Sequence, residues 1–169
     1  MYHGSYYQLM AEYNCWMNQN IYLACSVIPD EQRKQDLGAF FKSIHGTLNH
    51  LLYGDQAWMG RFTSNPFSVK LLGEELYADF DILKVKREKT DQQILEWSKH
   101  LDSDWLSQPL EYTSNVDGKH RVLPTWVLLT HMFNHQTHHR GQVTTLLKQI
   151  GYEQGVTDIP WLPAVNAAI

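Results

Sequence analysis

Apolar residues recur at intervals of three and four over four long stretches of this 169-residue chain, and that rhythm most constrains the fold. Residues 6–27 carry Leu9, Tyr13, Trp16, Ile21, Leu23 and Val27, with Pro29 ending the run and a polar link over 30–36. Residues 37–61 carry Phe40, Phe41, Ile44, Leu48, Leu51 and Leu52. Three glycines, Gly46, Gly54 and Gly60, interrupt that second helix, each costing about 1 kcal/mol relative to Ala. Their retention points to close helix contact or to space beside a site.

The more charged stretch 71–89 has room for a short helix. Thr90-Asp91-Gln92-Gln93 reads as a helix start with Gln at the third position. A third bundle helix is therefore expected over 91–107, with Ile94, Trp97, Leu101 and Trp105 as its stripe. Asp117-Gly118, between the β-prone runs of 110–123, predicts a small hairpin. Pro124 suits the first turn of a fourth helix over 125–150, with Gly151 closing it. The tail, 152–169, is expected to be irregular and anchored by Trp161. The fold class is all-α: a four-helix bundle with a hairpin excursion before the last bundle helix, forming a single domain over 1–169. The alternative is a less regular arrangement of the same helices.

Formal net charge is −4 with neutral His, which gives no electrostatic basis for binding nucleic acid or an anionic membrane. No run approaches the roughly 20 apolar residues of a spanning helix, and the first residues lack the pattern of a signal peptide. The expected location is the cytoplasm. Cys15 and Cys25 lie in one predicted helix, about 15 Å apart along its axis, beyond disulfide reach. They read as buried apolar thiols.

Nine histidines are present, and four of them, His131, His135, His138 and His139, fall within nine residues. His135 and His139 are four apart, hence about 40° and 6 Å apart on one helix face. That is how two imidazoles of one helix reach a common ion. His50, in the middle of the second helix among Leu48, Leu51 and Leu52, is the leading third ligand. Imidazole suits zinc, nickel, iron and copper better than calcium or magnesium. His131 and His138 fit supporting or surface roles, Gln142 a place on the pocket wall, and Arg140 a surface or interface ion pair. His3, His45, His100 and His120 look incidental. Asp55 lies about 140° around the helix from His50 and reads as a structural acceptor, whereas Trp58 falls near the His50 face.

The strings TLNHLLYGDQAWMGRF, residues 47–62, and NHQTHHRGQVTTLLKQIG, residues 134–151, resemble the signature segments of the DinB-like, damage-inducible family. Asp158-Ile159-Pro160 resembles that family's C-terminal stretch. The resemblance implies an up-down-down-up bundle, commonly a homodimer, with one metal held by a side chain of helix two and two of helix four. By position these are His50, His135 and His139, in agreement with the spacing. The implied metal is one divalent transition ion, zinc or nickel first, iron or manganese next.

Three neutral imidazoles leave coordination positions open, as at a catalytic site. Bacillithiol and mycothiol-dependent transferases belong to the same superfamily. The resemblance therefore implies a metal-dependent thiol S-transferase using a low-molecular-weight thiol and a small-molecule substrate, or a hydrolase-like variant. The alternative is a non-catalytic metal-binding stress-response protein.

Overall fold

The computed structural model describes residues 3–67 and 75–167. Four long helices form the bundle: α1 His3–Ser26, α3 Ile44–Phe62, α4 Phe80–Ser98 and α6 Thr125–Gln149. Between them lie the short helices α2 Asp30–Lys34 and α5 Ser103–Ser107, and α7 Pro163–Asn166 follows near the end. Strands β1 Pro109–Thr113 and β2 His120–Pro124 pair antiparallel in the expected hairpin, with Leu110 opposite Leu123. Gly118 takes φ +68° in its turn.

Cross-helix contacts give the helix directions. Tyr7 reaches the Trp126 carbonyl while Arg140 bonds Asn14, so α1 and α6 run parallel. Gln136 meets Leu51 while His131 meets Trp58, so α6 opposes α3. Asp55 pairs with Arg87 and Phe62 stacks on Trp97, so α3 and α4 run parallel. Tyr22 stacks on Phe80 while Asn14 reaches Asp91, so α4 opposes α1. The order is up-down-down-up.

Several expected boundaries move. The segment 37–42 is a turn rather than the start of the second helix. Lys42 adopts φ +66°, and Ser43 caps α3 by accepting from the Gly46 amide at 3.0 Å. Helix α4 begins at Phe80, capped by Asp79, so Asp91 lies in its middle and not at a helix start. Trp105 belongs to α5. Part of the polar link after Pro29 is helical, as α2. Helix α6 ends as expected, with Gly151 at φ +86°.

The buried stripe of α1 also differs from the expected one. Leu23 and Val27 are exposed, while Met17, Tyr22 and Cys25 are buried. In the tail, Trp161 is exposed and Leu162 supplies the anchor instead. The core divides into two apolar clusters, one built around Ile21, Leu48, Leu52 and Leu147, the other around Trp58, Ile94, Leu129 and Met132.

Polar side chains cross the bundle as well. Arg87 is 1% exposed and lies 2.8 Å from both Asp55 and Asp91. Asn18 donates to Asp91 at 2.9 Å, and Arg140 donates to Asn14. Such charges are tolerable in a core only when paired and hydrogen-bonded. Arg140 is thus a buried bundle residue, contrary to the surface role expected of it. No described helix is long and apolar enough to cross a membrane.

Candidate metal centre

Helix α3 presents His50, and α6 presents His135 and His139 one turn apart. The structure brings all three together, with one ring nitrogen from each lying within 4.8 Å of the others. His50 Nε2 and His135 Nε2 are 3.0 Å apart. An ion bonded to imidazole nitrogens at 2.0–2.1 Å would hold them no more than about 4 Å apart, so the widest of these separations would have to close by about 1 Å for one ion to bridge all three.

Protonation also suits an ion. Burial, reinforced by the neighbouring His139, holds His50 down to about 4. Burial and the surrounding imidazoles hold His135 down to about 3. Burial likewise lowers His139, although its bond to Gln142 opposes the shift. All three are neutral at pH 7 and offer lone pairs, which is the ligating form.

Gln142 settles the tautomer of one ring. Its Oε1 lies 2.7 Å from His139 Nδ1, so Nδ1–H donates and Nε2 is left as the acceptor. Phe41 packs on His50 with ring centroids 3.8 Å apart and 19° between planes, and meets His139 edge-on at 5.5 Å. Sequence reading placed Phe41 inside a helix and missed this role; the turn at Lys42 creates it.

Two of the α3 glycines serve this arrangement. A Cβ at Gly54 would stand 2.9 Å from His135 Cε1, so the ring occupies the space that glycine vacates. A Cβ at Gly46 would stand 2.3 Å from the Phe41 carbonyl oxygen. The absence of side chains thus lets α6 and the Phe41 turn approach α3.

The three imidazoles lie on the wall of a cavity of about 1340 Å³ that reaches solvent. His131, Trp58, Tyr53, Tyr112 and Arg61 continue the wall toward the hairpin. His131 packs edge-on against Trp58, which belongs both to the core and to the wall. His138 is exposed beside His139.

Asp55 faces away from the cluster and is fully buried against Arg87. His45 is more than incidental. It is 1% exposed, with Nε2 2.9 Å from the Tyr77 carbonyl and 2.8 Å from Glu75. His100 and His120 are exposed, and the His3 side chain lies outside the described residues. Cys15 and Cys25 are buried free thiols, pushed up to about 11 and about 12 by burial, so neither is a ready nucleophile.

Comparison with known proteins identifies the family. The model of the DinB family matches residues 1–167. The chain belongs to the DinB family. It is 31% identical to Protein DinB of Bacillus subtilis (strain 168) over 155 residues, covering 87% of each chain. It is also 27% identical to the uncharacterized protein YrdA of the same organism, over 73% of this chain and 71% of that one. Among solved structures, a DinB-like protein from Bacillus cereus ATCC 10987 superposes with a TM-score of 0.61 at 16% identity. That match covers 83% of this chain and 90% of the other, and shows a shared DinB-like fold.

Proposed function

We propose that this DinB-family protein binds one divalent transition metal through His50, His135 and His139 and uses it in catalysis on a small molecule. One observation carries the reading: three neutral imidazoles converge on the wall of an open cavity large enough for an organic substrate. An all-imidazole donor set favours zinc or nickel, then iron or manganese, over calcium or magnesium. When bound, such an ion supplies Lewis acidity that stabilises a thiolate or hydroxide at neutral pH. Thiol S-transfer from a low-molecular-weight thiol is the leading reaction class, with hydrolysis as the variant in which water takes the thiol's place.

The chain's own residues orient and shield. Gln142 fixes the His139 tautomer, Phe41 backs His50, and Trp58 and Tyr53 give the substrate space apolar walls. Neither cysteine is needed as the sulfur donor.

The test is the metal content of the purified protein, followed by a transfer screen with several low-molecular-weight thiols. His50→Ala should abolish stoichiometric metal and activity while the helical content is retained. Full metal occupancy in that variant would sink the reading.

A second reading, a non-catalytic metal-binding stress-response protein, is favoured by the engagement of the carboxylates lining the cavity. Asp117 pairs with Arg121, Glu75 with His45, and Asp36 accepts from the Gly38 amide. A metal-loaded protein inactive throughout the screen would favour it. The exposed Leu23 and Val27 of α1 support a homodimer through that helix, which light scattering tests. Two free cysteines fit a reducing cytoplasm.

A further inference from the structure

The cavity has a second chemical end. Positions 50, 54, 57 and 61 of α3 recur at intervals of four, three and four. His50 and Arg61 are therefore three turns apart on the same helix face, offset by about 20° and separated by about 16 Å along the axis. All four residues line the cavity. The two between the ends on this face are Gly54 and Ala57, the smallest side chains available, and the larger α3 side chains of Tyr53 and Trp58 stand to either side of the stripe. Beside them, the His135 ring rests on Gly54 and His131 packs on Trp58.

Arg61 is held in place and, among the described residues, pairs with no anion. Its guanidinium lies 4.6 Å from the Trp58 ring centroid and 5.1 Å from that of Tyr112. One nitrogen, Nη2, faces the Thr113 carbonyl at 3.4 Å and Asn115 Oδ1 at 3.1 Å. Asn115 in turn donates to the Tyr53 hydroxyl at 2.5 Å, tying the hairpin to α3.

The other cations of the cavity wall differ. Arg121 pairs with Asp117 and Lys34 with Asp30, while Lys42 is exposed at the other end of α3. Among the described residues no carboxylate lies within 4 Å of Arg61; the ion pairs of arginine are those of Arg33, Arg87 and Arg121. Arg61 is also only partly exposed, so water compensates its charge incompletely. After burial, its positive field is the next cause that lowers His131.

We infer that Arg61 is the recognition residue for an anionic group, a carboxylate or phosphate, on an elongated substrate whose other end reaches the three histidines. The inference rests on the reading of this cavity as a small-molecule site. It adds the class of molecule: apolar in the middle, along Gly54, Ala57 and Tyr53, and anionic at the hairpin end, where Trp58 and Tyr112 flank the guanidinium. An arginine fork suits either oxyanion, whereas a neutral group gains nothing from its charge.

The test is calorimetric and needs no turnover. Metal-free protein is titrated with 4-phenylbutyrate, 4-phenylbutylphosphonate and 4-phenylbutanol, which share one apolar body. Both anions should bind at least about tenfold more tightly than the alcohol. The tighter anion identifies whether carboxylates or phosphate esters are the natural class. Arg61→Leu should erase the preference for the anions, and Arg61→Lys should restore part of it. Asn115→Ala releases the hairpin tether but keeps the cation, so it should retain the preference.

Equal binding of alcohol and anions by the unaltered protein overturns the inference, as does an Arg61→Leu variant that still prefers anions. Loss of the preference in Asn115→Ala also overturns it, because Arg61 would then act only through the hairpin. The metal reading is read out separately: Arg61→Leu should keep full metal stoichiometry, and His50→Ala should lose metal while still preferring the anions.

Discussion

Gln136 donates its side-chain amide to the Leu51 carbonyl at 3.0 Å, joining α6 to α3 at the residue beside each of two candidate ligands. Gln136 follows His135, Leu51 follows His50, and Gln136 is fully buried. The bond therefore sets the height of one histidine-bearing helix against the other. Gln136→Leu should lower stability by about 1–2 kcal/mol, read by urea unfolding of the metal-free protein. It should also weaken metal binding about tenfold or more, as loss of a ligand-supporting contact does. Unchanged metal affinity would show that the register is set elsewhere.

Gly54→Ala should separate folding from metal binding. Alanine favours the helix by up to about 1 kcal/mol over glycine. Its Cβ, however, would fall 2.9 Å from His135 Cε1, and the ring is what can move. The expected result is a melting temperature equal to or above that of the parent and a metal affinity at least about tenfold lower. Unaltered affinity would mean the ring shifts without leaving the site.

The histidine protonation states predict acid tolerance. An isolated imidazole takes up its proton near pH 6.5. His50 and His135 are held to about 4 and about 3 by burial and neighbouring rings. Protons should therefore compete poorly for these two rings at pH 5.5, and both should keep the neutral, ligating form there. In the metal-free protein, acidification from about 6.5 downward protonates these histidines in the unfolded chain before the folded one. Their contribution to stability thus falls with pH across that window, down to the folded values. Ring resonances followed by NMR check both statements, and titration of His50 near 6.5 would refute them.

Asp55→Ala should be among the most destabilising single changes, costing about 3–5 kcal/mol. Arg87 would lose one of two carboxylates while fully buried, with Asp91 as its remaining partner. Chemical denaturation measures the loss. Because Asp55 faces away from the histidines, whatever fraction remains folded should still bind metal in a one-to-one ratio.

Much of the bundle could be read from spacing alone. The last long helix, its Gly151 terminus and the Asp117-Gly118 hairpin have local chemistry that nothing distant overrides. The His135–His139 pair is equally local. His50 was found because a polar ring sits in an apolar stretch. The misread segments are those where a contact between helices decided the outcome. Phe40 and Phe41 match the helical rhythm, but the turn at Lys42 brings Phe41 onto His50 and leaves Phe40 in solvent. Thr90-Asp91-Gln92-Gln93 resembles a helix start in sequence, but Asp91 lies mid-helix and is consumed by Arg87 and Asn18. Arg140 looks like a surface cation because its acceptor, Asn14, is on another helix. Arg61 gave no signal, since its separation from the carboxylates of the described residues is visible only in three dimensions.

The charged and amide side chains between the two apolar clusters act as a ratchet pawl for the bundle. If α6 slid one turn past its neighbours, Arg140 would be drawn away from Asn14 and Gln136 from Leu51, stranding polar groups in hydrocarbon. Intermediate heights are thereby forbidden, and the distance between His50 and the α6 histidines cannot drift gradually. Any change in the spacing of the three imidazoles must then come from side chains that lean on the rings, Phe41 and Gln142, rather than from helix movement.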